Sequence, residues 1–149
     1  MALSSYRKIR AGKGYAPWLA EAAGAHGVYV IRERARRGRR ATVLYVGESH
    51  THRLRETLQR HYQQWHGRTA GPTFQAETTE VAMETFLDGN DAIRRQNELI
   101  RALHPIHNLL IPDASDDPPP PRKAGRQRRE TAALAELLDY FGDVGGTSE

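Results

Sequence analysis

The chain has 149 residues, 38% of them hydrophobic, with 22 Lys and Arg against 18 Asp and Glu and a net charge of +4. A chain of this length forms one compact domain with tails. The lack of cysteine excludes disulfides and thiolate zinc sites, and the lack of a long apolar run argues against a secretory signal or a membrane span, so a cytoplasmic location is expected.

In chain order, residues 14–24 are expected to form a short helix, with Pro17 in its first turn. Gly27-Val28-Tyr29-Val30-Ile31 is β-branched and aromatic and reads as a strand. An arginine-rich stretch around Gly38 suits a hairpin loop, and Thr42-Val43-Leu44-Tyr45-Val46 reads as the return strand, ended by Gly47. A helix is expected over 51–65, because about 100° per residue puts Leu54, Leu58, His61, Tyr62 and Trp65 on one stripe. Arg53 and Arg60 share one flank of that stripe and Arg55 lies on the other. A Gly/Pro-containing loop follows over 66–73, then a third strand over 74–86. Asp88-Gly89-Asn90-Asp91 makes a turn and a helix cap. The next helix, over 92–103, places Ile93, Gln96, Leu99, Ile100 and Leu103 on one side and ends before Pro105. Residues 116–121 hold four consecutive prolines and read as a stiff extended linker. Leu134, Leu137, Leu138 and Phe141 would share a face of a last helix over 131–141. The pattern predicts an α+β fold, a three-stranded antiparallel sheet flanked by helices. The expected divisions are an extension over 1–24, a domain over 25–112, a Pro/Arg-rich linker over 113–130 and a helix with tail over 131–149.

The basic residues are clustered. Arg32, Arg34, Arg36, Arg37, Arg39 and Arg40 crowd the hairpin loop, and Arg122, Lys123, Arg126, Arg128 and Arg129 crowd the later segment. Guanidinium forks engage two phosphate oxygens at once, so such clusters favour a nucleic-acid partner.

Gly27-Val28-Tyr29 on one strand, Tyr45-Val46-Gly47 on the next, a basic helix, and Asn97-Glu98-Leu99-Ile100 followed by Pro105 and Asn108 come in a fixed order. Together they resemble the signature of the GIY-YIG nucleases, over residues 25–110. The gap from Tyr29 to Tyr45 is longer than usual in that family, and the arginine-rich loop accounts for it. The resemblance implies a metal-dependent endonuclease that hydrolyses DNA phosphodiesters, RNA remaining open as a partner, with Mg2+ or Mn2+ as cofactor. Tyr29 would activate or position the water and Tyr45 would line the site. His61 matches the family's helix histidine, but Thr57 stands where the family has arginine; Arg53, one turn earlier on the same side, takes that role, with Arg60 as support. The family's metal-binding glutamate position holds Gln96 here. Glu98 is the nearby alternative, although about 200° around the helix from Gln96, and Glu48 is another carboxylate close by. Arg55, Arg60, His50, His52, Asn108, Arg36, Arg37, Arg39 and Arg40 complete the expected substrate contacts.

Because Thr57 and Gln96 depart from the family, a second hypothesis stays open: the same scaffold binding nucleic acid with little or no cleavage. A third is an adaptor whose last helix docks a protein partner, such as a larger nuclease or a replication protein.

Overall fold

The computed structural model describes residues 2–63 and 72–120. Trp65, most of the loop expected over 66–73, the second basic cluster and the helix expected over 131–141 lie outside them. The described residues up to Pro118 form one compact unit.

Two short strands, β1 (Arg10–Ala11) and β2 (Gly14–Tyr15), form a small ribbon, followed by a 3-10 turn over Pro17–Ala22. This replaces the helix expected over 14–24. Pro17 does sit at the start of the turn, but the i to i+3 bonds close it after six residues. β3 (His26–Glu33) and β4 (Thr42–Ser49) form the hairpin; helix α1 (Leu54–Arg60), strand β5 (Thr79–Phe86) and helix α2 (Gly89–Leu103) complete the domain. The main sheet is antiparallel with order β4-β3-β5, which bears out the expected α+β architecture.

Strand alternation divides the core in two. Tyr29 and Ile31 join Leu54, Leu58 and Tyr62 in one cluster, on the α1 side. Val28, Val30 and Val46 join Ala92, Leu99 and Ile100 of α2 in the other. Gly27 is required at the start of β3: a Cβ there would lie 2.5 Å from the Glu84 carbonyl oxygen and 2.6 Å from Leu54.

Both edges of the sheet are covered, which removes the exposed backbone that invites edge pairing. On the β5 side Arg7 pairs with Val81, the Ser4 N–H donates to the Met83 carbonyl, and Ile9 is fully buried. Residues 1–24 are therefore part of the domain and not an appended extension. On the β4 side the N–H groups of Ile106 and His107 donate to the carbonyls of Val43 and Leu44.

Asp88 caps α2, its carboxylate accepting from the Asn90 N–H at 2.9 Å. His104 ends the helix in the left-handed conformation (φ 46°). Beyond it, Asp117 takes a bidentate ion pair from Arg101 and a hydrogen bond from Asn97 at 2.9 Å. These bonds tie the chain back onto α2, so the domain continues to Pro118 where a linker was expected from residue 113.

One buried charge is anchored across the layers. The Glu84 side chain, only 2% exposed, accepts from Arg95 Nε at 3.1 Å, and Arg95 also meets exposed Glu98 at 2.9 Å. Removing Arg95 strands a carboxylate in the core, whereas removing Glu98 costs only a surface pair. Arg95→Ala is expected to lower stability by about 3 kcal/mol and Glu98→Ala by less than about 0.5 kcal/mol, both read from urea unfolding midpoints.

Candidate active site

The two tyrosines of the hairpin lie on the same face of the sheet. In the β3–β4 register Tyr29 is opposite Gly47 and Tyr45 is opposite Ile31, and directly opposed residues project to one side. The two rings lie 6.2 Å apart. Tyr29 leans across β4 over Gly47, where a Cβ would sit 2.3 Å from the phenol's Cζ and oxygen. This steric demand is the physical reason for the glycine of Tyr45-Val46-Gly47.

α1 supplies the third ring. His61 follows its last turn and is buried, with its ring 5.5 Å from Tyr29 and 4.8 Å from Tyr45. Its Nδ1 lies 2.7 Å from the Pro72 carbonyl oxygen. A carbonyl only accepts, so Nδ1 carries the proton and Nε2 presents its lone pair. Tyr29 then donates its O–H to Nε2 at 2.6 Å. The result is a directed chain from Tyr29 through His61 to Pro72, with the Phe74 ring beyond it, tilted against His61 and edge-on to His107.

Electrostatics keep this chain neutral. Burial pushes the Tyr29 phenol well above its ordinary value; Tyr45, Glu48 and Tyr62 raise it further, and the Arg60 guanidinium pulls it back. Burial, and then the charge of Glu48, raise Tyr45 as well. Burial lowers His61, against an opposing pull from its bond to Pro72. A histidine lowered in the folded state takes up a proton more readily when unfolded. Its stabilising contribution is therefore complete at neutral pH and is lost as pH falls below about 6.5, the value expected of the unfolded chain. Stability should decline with acid below that point, and His61→Gln should remove this part of the slope in urea unfolding measured from neutral pH downwards.

The Tyr45 hydroxyl makes no hydrogen bond to a described residue. The ring lines a cavity of about 540 Å3 together with Pro72, Gln96, Asn97, His107 and Asn108. Gln96 of α2 thus lines the same cavity as Tyr45. His107, at the exposed rim, was not singled out from the sequence; its place one residue before Asn108, in a segment that runs along β4, is the only signal that pointed to it.

The other expected residues divide. Arg60 is exposed on the flank of α1 whose charge registers at Tyr29. Arg53, expected to lead, occupies the N-cap position, exposed, its backbone N–H on Ser49 Oγ at 3.1 Å. Arg55 is on the opposite flank beside Glu56 at 3.5 Å. His50 pairs with Glu48 at 2.9 Å, and His52, in a left-handed conformation, stacks on His26 at 3.6 Å. Their partners are thus not the tyrosine pair. Asn108 is not free for substrate: its amide nitrogen donates to the Val46 carbonyl and its oxygen accepts the Val46 N–H, both at 2.9 Å, so it acts as one more rung on the edge of β4. Arg36, Arg37, Arg39 and Arg40 are all exposed on the hairpin loop, away from the rings.

The carboxylates expected to hold a metal are not gathered beside Tyr45. Glu98 is held by Arg95, which is itself turned to Glu84 on β5, the strand at the far edge of the sheet from β4. Glu98 does not line the cavity beside Tyr45, and the roughly 200° separation from Gln96 carries it to the other side of α2. Glu48 is engaged by His50. Gln96 brings a neutral amide where a divalent cation favours carboxylate. Among the described residues, no group of three or more His, Asp or Glu side chains is placed to share a cation.

Compared with protein-family models, curated proteins and solved structures, the chain matches none. Among the described residues no helix is long and apolar enough to cross a membrane.

Proposed function

We propose that this domain is a GIY-YIG-type phosphodiesterase that hydrolyses a strand of DNA in the cleft beside Tyr45. The observation that carries the reading is the Tyr29–His61–Pro72 chain beside a second phenol. A water attacking phosphorus must lose a proton, and a phenol raised far above neutral is a poor base by itself. The hydrogen-bonded histidine resolves this. On this reading Tyr29, only 1% exposed in the free domain, is uncovered as the strand enters beside Tyr45; it then takes the proton from water as its own proton passes to His61 Nε2, and the imidazolium so formed is stabilised by the Pro72 carbonyl it already faces. The P–O bond to the leaving oxygen breaks, and that oxygen takes a proton from water in the open cavity. Arg60 offers positive charge to the phosphoryl oxygens.

The placement of Gln96 and Glu98 favours a second reading, a module that binds DNA and cuts it slowly or not at all. Nicking of supercoiled plasmid by the wild-type chain and by Gln96→Glu, in magnesium and in chelator, separates the two. On the first reading the wild type produces nicked circles, and Gln96→Glu, which puts a carboxylate beside Tyr45, nicks at least about tenfold faster in magnesium. No nicking by either protein, with salt-sensitive DNA binding retained, selects the second.

A further inference from the structure

The connection between β3 and β4 projects beyond the sheet as a narrow finger that the cleft does not use. Arg36 and Arg39 form an isolated antiparallel bridge, with the Arg39 N–H donating to the Arg36 carbonyl at 2.8 Å. Gly38 closes the turn at φ 79°, a conformation that glycine adopts without strain. At the base of the finger, Arg32 is bound to Glu80 at 2.7 Å and Arg34 to the Glu77 carbonyl at 3.4 Å. Farther out, Arg36, Arg37, Arg39 and Arg40 are exposed and make no side-chain hydrogen bond or ion pair with a described residue. Four like charges within five residues repel one another, and no carboxylate of the described residues pairs with them. A polyanion would.

The nature of that polyanion follows from the shape and content of the finger. Residues 34–41 read Arg-Ala-Arg-Arg-Gly-Arg-Arg-Ala, without an aromatic side chain. Single strands are held largely by stacking bases on aromatic rings, which the finger lacks. Where Arg36 and Arg39 bridge, its two limbs lie about 5 Å apart, a width the roughly 12 Å major groove of B-form DNA admits and the deep, narrow major groove of duplex RNA does not. Arg40 is five residues before Tyr45, and Tyr45 lies on β4. At about 3.3 Å per residue its backbone is roughly 17 Å from Tyr45, or about five steps of 3.4 Å along a duplex.

We propose that this basic finger grips a duplex DNA arm beginning about five base pairs from the phosphate held in the cleft, so that the substrate is duplex DNA flanking the cut and not an isolated single strand. This rests on the cleft receiving a DNA strand, but its test needs no cleavage. Affinity is measured against salt concentration, by fluorescence anisotropy, for a DNA duplex of about two helical turns, the equivalent single strand and the equivalent RNA duplex. The proteins are Tyr29→Phe and the same protein carrying Arg36→Ser, Arg37→Ser, Arg39→Ser and Arg40→Ser, with thermal unfolding confirming that both fold.

The finger is expected to add about three to four units to the slope of log affinity against log salt on duplex DNA, and no more than about one unit on the single strand or on duplex RNA. Equal slopes for the two proteins on duplex DNA overturn the proposal, as does an equal loss on the single strand or on duplex RNA. If the slopes differ as expected and the wild type does not nick plasmid, the finger stands and the hydrolytic reading falls. If plasmid is nicked and the slopes coincide, the reverse holds.

Discussion

Replacing Gly47 with alanine is expected to lower stability by about 3 kcal/mol and to abolish the function of the cleft. The added methyl would lie 2.3 Å from two atoms of the Tyr29 phenol, far inside van der Waals contact. Neither side can yield cheaply. Tyr29 is 1% exposed and packed among Ile31, Leu54, Leu58 and Met83, and Gly47 is paired in the middle of the hairpin. The ring must swing, and the 2.6 Å contact with His61 goes with it. Urea unfolding should give a lower midpoint with an unchanged slope, because the surface exposed on unfolding is the same. A loss below about 0.5 kcal/mol would mean that Tyr29 does not lie across β4.

Tyr29→Phe separates chemistry from packing. The ring and its contacts remain, so the loss of stability is limited to one hydrogen bond, about 1 kcal/mol. The proton path is cut at its first member. Positioned proton transfer contributes about a hundredfold to ten-thousandfold, and the rate of plasmid nicking should fall by that order while DNA affinity changes by less than about threefold. An undiminished rate would remove Tyr29 from the mechanism. Tyr45→Phe provides the contrast. Its hydroxyl opens to the cavity and bonds to no described residue, so it should affect nicking less than Tyr29→Phe and stability hardly at all.

The hairpin was legible in the sequence because it is local, two β-branched, aromatic runs bounded by glycines. Its register, with Tyr29 opposite Gly47, came only with the structure. Helical angles were enough to separate Glu98 from Gln96, which lines the cavity beside Tyr45. The rest of what was not legible was non-local. The pairing of Arg7 with Val81 joins residues far apart in the chain, so residues 1–24 read as an appendage. The third strand was expected from residue 74, yet β5 begins at Thr79. Phe74 is diverted by donating its N–H to the His61 carbonyl, and its ring packs on the His61 side chain. That the charge of Arg60, and not of Arg53, is felt at the Tyr29 phenol depends on which flank of α1 faces it, and periodicity gives a flank without saying what it will face. Asn108 matched a motif, but its bonds to both backbone groups of Val46 depend on the chain turning back along β4 after Pro105.

The proton path depends on one tautomer, and nitrogen-15 NMR of the His61 ring observes it directly. At neutral pH a neutral imidazole is expected, with its proton on Nδ1 and a hydrogen-bonded lone pair on Nε2, whose resonance moves in Tyr29→Phe as the donor is withdrawn. A proton found on Nε2, or a ring unaffected by removal of the Tyr29 hydroxyl, would contradict it.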